Sequence, residues 1–403
     1  MRELLRNIEL ISFTALLLFL PLTAHISMNS SSGLWNFWPT LTATVLWIIL
    51  LLPYVKYYWT AQYKFGVLMV LLGVLCTGLV FAGLWKRDLL FLGINIVAVT
   101  AMLLVGSRIK SSFGVDLLLV LISLIGSIYA IWGLGQFAGQ SDFGLFRIGE
   151  SQLSAHSAGV AKFMIASEKI VRPYGPFAHS NSFGGALVVC AVAGIVTFLR
   201  IKTRALLYPV AVTLLGVLFT FSRSTWISLA VLLIIASLVF AKSYSRMVLV
   251  RIGAIFLMVI LILSPLIMYR VSDAEDQGIS ERVSQIRAAK SIIINNGLWN
   301  GVGVTKYVQL YEHLLVSRNV AFEEWQIVPV HSVPVLLAAE LGVLPFVLIF
   351  SAFIVAVYAR LKTQWYWLLP LVPLAVFDHY LVTQTAPAVL GLLLVFLLEP
   401  PEM

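Results

Sequence analysis

The chain has 403 residues, 60% hydrophobic and only 11% charged, with a net charge of +9. Soluble domains carry roughly 25% charged residues, so this composition excludes an ordinary water-soluble protein and points to a polytopic membrane protein. The positive charge sits mostly in short loops between apolar runs, where it reads as a topology signal rather than a nucleic-acid footprint.

Met1-Arg2-Glu3-Leu4-Leu5-Arg6 precedes the first apolar run, which carries Pro21 and His25 near its end. No small-residue cleavage pattern follows, so a retained first helix is expected rather than a removed signal peptide. A spanning helix needs roughly 20 apolar residues. Such runs occur near 8–28, 34–54, 65–85, 88–106, 115–137, 182–199, 204–221, 224–241, 248–269, 331–358, 365–380 and 384–398. The expected fold is therefore all-α, a single polytopic domain over 1–403 with about twelve transmembrane helices. The last two runs are short enough to form a re-entrant pair. Cys76 and Cys190 both lie inside apolar runs and offer neither a disulfide framework nor metal spacing.

With the N-terminus inside, fourteen of the 27 Lys and Arg residues fall on the cytoplasmic side, and short outer loops hold only Lys86, Arg87 and Arg223. The other ten lie in two long segments, 138–181 and 270–330, and long segments cross largely regardless of charge. Both termini are thus expected in the cytoplasm, with the two long segments on the outer face. The cytoplasmic loops hold no Gly-rich phosphate motif, so any activated donor must be met from the outer face or within the membrane.

In the first outer segment, Gln140 to Ala161 is rich in Gly, Ser and Gln and reads as irregular loop. Arg172-Pro173-Tyr174-Gly175-Pro176 excludes a regular helix. Gly184-Gly185 then opens a span where small residues permit close helix approach. Phe221-Ser222-Arg223-Ser224 separates two apolar runs, which puts Arg223 at the outer border. An arginine there suits snorkelling to lipid headgroups, or a charge facing a substrate path.

The second outer segment opens with the polar loop Asp273–Gln277. Ser280 is a candidate N-cap. Val283, Ile286, Ala289, Ile293 and Ile294 then recur at helical spacing, with Arg282, Gln285 and Lys290 between them. This predicts an amphipathic helix along the membrane surface, ended by Asn296-Gly297. Trp299-Asn300-Gly301-Val302-Gly303 reads as a turn, and a second, weaker helix or loop carries Glu312, His313, Glu323, Glu324 and Trp325.

On this topology Arg172, His179, Arg223, Arg282, His331 and the pair Asp378-His379 share the outer face. Arginines bind phosphate oxygens through forked, charge-assisted hydrogen bonds, and positive charge stabilises a leaving diphosphate. A histidine near neutrality serves as general base on a hydroxyl. His331 stands at a helix start, where the dipole disfavours added positive charge; the plainer reading is a polar cap. His179 and His379 divide evenly between site and structure, whereas His25, His156 and His313 read as incidental. No HExxH, paired cysteines or acidic cluster supports a metal, so metal-independent chemistry without a cofactor is expected.

At these residues the chain resembles the O-antigen ligase and polymerase superfamily of bacterial envelope glycosyltransferases. Arg172 to Asn181 resembles its Arg-x-x-Gly-x-Phe-x-His-x-Asn stretch. Phe221-Ser222-Arg223-Ser224 resembles its Ser-Arg turn, and Asn296 to Gly303 its x-x-G-x-G turn. His331-Ser332, nine residues and Gly342 resemble the ligase signature, with Ser332 for the usual Asn and Pro345 in place of the second Gly. The resemblance implies transfer or polymerisation of a glycan from an undecaprenyl-diphosphate donor onto a glycan, lipid or protein acceptor, at the outer face of the bacterial cytoplasmic membrane. By carry-over, His331 would activate the acceptor hydroxyl. Arg172, Arg223 and Arg282 would hold the diphosphate, with His179, Asn181, Gly301, Gly303, Asp378 and His379 as further substrate-binding candidates. Glu340, nine residues beyond His331, lies about 13 Å along a helix and suits packing better than base chemistry. Two other classes stay open: a flippase for a lipid-linked sugar, and a non-catalytic envelope-assembly protein.

Overall fold

The computed structural model describes residues 110–145, 149–165, 168–241, 264–270, 277–296, 299–304, 306–323, 326–362 and 364–398, with scattered positions between 7 and 21 and between 253 and 261. The spans expected at 34–54, 65–85 and 88–106, and most of that at 248–269, lie outside the described residues.

The architecture is helical. Helices α1 (Val115–Gly139), α2 (Ser180–Ile201) and α3 (Leu207–Phe219) pack most extensively on one another. Next come α4 (Arg223–Phe240), α5 (Gln277–Asn296) and α6 (Tyr307–Ser317). The chain closes with α7 (Val333–Leu341), α8 (Val343–Leu361), α9 (Leu371–Phe377), α10 (Tyr380–Thr383) and α11 (Thr385–Leu397). Among the described residues, α1, α2 and α4 are long and apolar enough to cross a membrane, and shorter apolar helices lie within 204–219, 343–359, 365–377 and 386–397.

Helix α2 is the central column, buried from Ser180 to Phe198. Its small residues make this possible. A Cβ on Gly184 would fall 2.6 Å from Thr225 Oγ1 of α4, and one on Gly185 2.4 Å from Tyr380 Oη. The Gly184-Gly185 pair thus admits the close approach expected of it. Phe13 and Leu17 of the first apolar run are fully buried in the same core, and Tyr129 Oη donates to the Leu17 carbonyl.

The described residues fit the expected all-α class and add one small hairpin to it: β1 (Lys162–Ile165) and β2 (Glu168–Val171) form an antiparallel pair, with Phe163 opposite Ile170. Phe163 is buried, with its ring 4.6 Å from that of Phe221, while Lys162 and Met164 take the alternate face. One expectation needs correction: 331–358 is not one continuous helix. It breaks at Gly342, whose φ of 94° ends α7 and redirects α8. The break is held from outside. Val302 N and Gly303 N donate to the carbonyls of Ala339 and Glu340, which the helix end leaves without helical partners.

The expected surface helix is present as α5 and starts earlier than Ser280, at Gln277. Ala288, Ala289 and Ile292 pack on Tyr307, Tyr311, Val330, Leu336 and Ala339. Protein therefore covers that stripe, while Val283, Ile286 and Ile294 stay exposed. The short runs near the C-terminus are α9, α10 and α11, and the break between α9 and α10 holds Asp378 and His379.

Candidate functional site

At the N-terminal ends of α2, α4 and α7 the chain forms a half-open cavity of about 700 Å³. It brings together Arg172, His179, Asn181, Arg223, Arg282, His331, Asp378 and His379, eight of the ten residues singled out from sequence. The other two, Gly301 and Gly303, are not among its lining residues. They sit in the turn that caps α7, where a Cβ on Gly301 would lie 2.1 Å from the Glu340 carbonyl oxygen.

The arginines are positioned by one turn. Between α3 and α4 the backbone passes through Phe221 at φ 49°, a left-handed conformation that is uncommon for a bulky side chain. Rings of Phe137, Phe163, Phe219 and Trp226 surround Phe221 and hold it there. The turn's carbonyls then act as anchors. Arg172 Nε donates to Thr220 O at 2.9 Å, and Arg270 Nε to Phe221 O at 3.2 Å. Arg223, the first residue of α4, is half-buried and reaches the Arg270 carbonyl at 3.3 Å. Its guanidinium lines the cavity.

A polar chain runs across the cavity floor. The second terminal nitrogen of Arg172 donates to Asn181 Oδ1 at 2.7 Å, and Asn181 Nδ2 to Asp378 Oδ2 at 2.8 Å. Asp378 Oδ1 accepts the His379 backbone N–H at 2.9 Å. Two segments almost two hundred positions apart are thereby joined through the N-terminus of α2. His179 is the N-cap of that helix, its Nδ1 accepting from Asn181 N at 3.1 Å. Its role is thus part structural, and it lines the cavity as well.

His331 lies just before the N-cap Ser332 of α7, and its ring packs edge-on to His379 with centroids 5.1 Å apart. Burial lowers the His331 pKa from its ordinary value; Asp378 pulls it up and Arg282 pushes it down. Burial lowers His379 to about 4, against the pull of Asp378, and His179 to about 3, with Arg172 adding to the effect. For Asp378 burial works upward, but His331, His379, Arg282 and His179 outweigh it and hold the carboxyl below its usual value. The site at neutral pH therefore holds neutral imidazoles around an ionised carboxylate. Sequence reasoning expected a neutral His331 from the helix dipole; the structure adds burial as a cause.

The ligand atoms of His331, Asp378 and His379 lie within 4.8 Å of one another, a grouping able to hold a metal ion. The surrounding field opposes a cation. Arg172, Arg223, Arg270, Arg282, Lys162 and Lys169 line the cavity against the carboxylates Glu281 and Asp378. An anion fits that excess of positive charge better.

Sequence reasoning missed Arg270 and the hairpin lysines as lining residues. Arg270 carried the same signal as Arg223, a cation at the edge of an apolar run. Lys162 and Lys169 were hidden because the hairpin itself was not read.

A helical membrane protein with a half-open, arginine-rich cavity and a histidine–aspartate cluster is the class these features define. A model of the O-antigen ligase family matches residues 208–350, about a third of the chain. The match covers Arg223, Arg270, Arg282 and His331, while Arg172, Asn181 and Asp378 come to the cavity from outside it. No curated protein and no solved structure matches the chain.

Proposed function

We propose that the protein transfers or polymerises a glycan from an undecaprenyl-diphosphate donor onto an acceptor hydroxyl, at the outer face of the bacterial cytoplasmic membrane. The observation that carries this reading is the cavity itself, which brings four arginines together with His331, Asp378 and His379. The family match supports glycosyl transfer in general.

In this reading Arg223, Arg270 and Arg282 hold the diphosphate, and Arg172 holds Asn181 and the Thr220 carbonyl in place beside them. His331 takes the proton of the acceptor hydroxyl. The acceptor oxygen bonds to the sugar carbon as the bond from that carbon to the diphosphate oxygen breaks. The electron pair leaves with the diphosphate, whose growing charge the guanidinium groups stabilise. Inversion at the sugar carbon follows from this single displacement. No metal and no cofactor enters the step.

The test is reconstitution in lipid vesicles with an undecaprenyl-diphosphate glycan and candidate acceptors. Transfer with release of the lipid diphosphate is the expected result, and product length separates one-step ligation from polymerisation. Movement of intact donor across the bilayer with no transfer to any acceptor would contradict the proposal.

A further inference from the structure

We infer that Gln285 is a positioning residue that fixes the tautomer of His331 and thereby leaves its Nε2 free to act as the base. Gln285 is on α5, three residues after Arg282, so the two side chains share a face one turn apart. It is 1% exposed, a buried polar residue on a stripe otherwise made of Ala288, Ala289 and Ile292. A buried amide needs partners. Its Oε1 lies 2.8 Å from His331 Nδ1.

An amide oxygen only accepts. With that oxygen turned to His331, as in this structure, the bond places the proton on Nδ1, and in a neutral imidazole the lone pair is then on Nε2. The opposite tautomer would need the amide turned over, so that its NH2 group faced Nδ1. After Nε2 takes the acceptor's proton, Nδ1–H still donates to Gln285, so the hydrogen bond survives the step. The amide does not itself take a proton, so the imidazolium returns it through Nε2.

The rest of α5 is tied down around this contact. Tyr307 Oη donates to the Gln285 carbonyl at 3.0 Å, and Gln326 Nε2 donates to Glu281 Oε1 at 3.0 Å. One helix thus carries an arginine facing the anion and the residue that orients the base. The charged and titratable groups around His331 are Arg282 and Glu281 of α5, Asp378 and His379 from the α9–α10 break, and His179 at the head of α2.

This inference rests on the proposed role of His331, and its test separates the two. Protein labelled with ¹⁵N-histidine is studied in bilayers by NMR, with the His331 signals assigned by their loss in His331→Ala. The neutral wild type is expected to carry its proton on Nδ1, and Gln285→Leu to lose that preference. A wild-type His331 protonated on Nε2 would overturn the inference whatever the protein transfers. In the transfer assay, Gln285→Leu should lower kcat about tenfold, the worth of one hydrogen bond, with the donor KM unchanged. Gln285→Glu keeps an acceptor on Nδ1. It should retain kcat at alkaline pH and move the acid limb upward, because a carboxylate stabilises the imidazolium. Equal losses in both variants with an unmoved acid limb would mark Gln285 as merely structural. Absence of transfer by wild type, with the Nδ1 tautomer intact, would remove the glycan reading and leave the orienting contact standing.

Discussion

His331 and Asp378 form a pair whose protonation is set by burial and by each other. A base works only when neutral, and the His331 pKa lies below its ordinary value near 6.5. Transfer should therefore be full at neutral pH and fall only as pH drops through that lowered value. A kcat/KM profile in reconstituted vesicles checks this; an acid limb above 6.5 would contradict it. Asp378→Asn removes the charge that pulls His331 upward, so the acid limb should move to still lower pH. The same substitution keeps the side chain's shape and one of its two accepting oxygens, so it gives up one of the bonds from Asn181 Nδ2 and His379 N; a shifted profile in a protein checked for folding is the expected signature. At this scale the sequence was most legible. Arginines and histidines at the edges of apolar runs were readable as border residues, because charge is costly inside hydrocarbon. Arg270 and Gln285 were not picked out. One was seen as the end of a span, the other as the polar side of a surface helix, and only tertiary packing turns them inward.

At the scale of elements, two turns carry the site. The Phe221 turn presents carbonyls to Arg172 and Arg270, and its left-handed backbone depends on the surrounding aromatic rings. The Trp299–Gly303 turn caps the C-terminal end of α7, the helix whose other end follows His331. Gly301→Ala forces a methyl against the Glu340 backbone, an overpacking expected to cost about 1–3 kcal/mol. Thermal unfolding in detergent should show a clear drop, with donor binding weakened only through loss of the fold. An unchanged unfolding temperature would contradict the close packing. Sequence periodicity could not show either device. The 331–358 run holds a single charge, Glu340, and is apolar enough on average that a span-length reading runs through Gly342 and Pro345 without a break, and a two-strand hairpin of four residues each is shorter than a span-length window.

The whole molecule is built around one buried column. Helix α2 joins the cavity at Ser180 to the opposite end at Lys202, about 33 Å away at helical rise. If the cavity faces outward, the segments around Ser157 and Arg318 share that side and Lys202 faces the cytoplasm. Single cysteines at Ser157 and Arg318, in an otherwise cysteine-free chain, should label with a membrane-impermeant maleimide in intact spheroplasts. A cysteine at Lys202 should label only after permeabilisation. The reverse pattern would invert the topology and put the cavity out of reach of an outer-face acceptor. Overall helical character and membrane class were plain from composition alone, since no aqueous fold accommodates 60% hydrophobic residues with 11% charged.

In the proposed reaction, arginines that hold an anionic donor and a histidine that acts on the acceptor share one cavity. The most direct test pairs donor binding with transfer in two variants, Arg223→Ala and His331→Ala, each checked for folding. The prediction is that His331→Ala binds the lipid-diphosphate donor as the wild type does but loses transfer about 10²-fold or more. Arg223→Ala should lose both binding and transfer. Wild-type rates in both variants would show that the chemistry lies elsewhere.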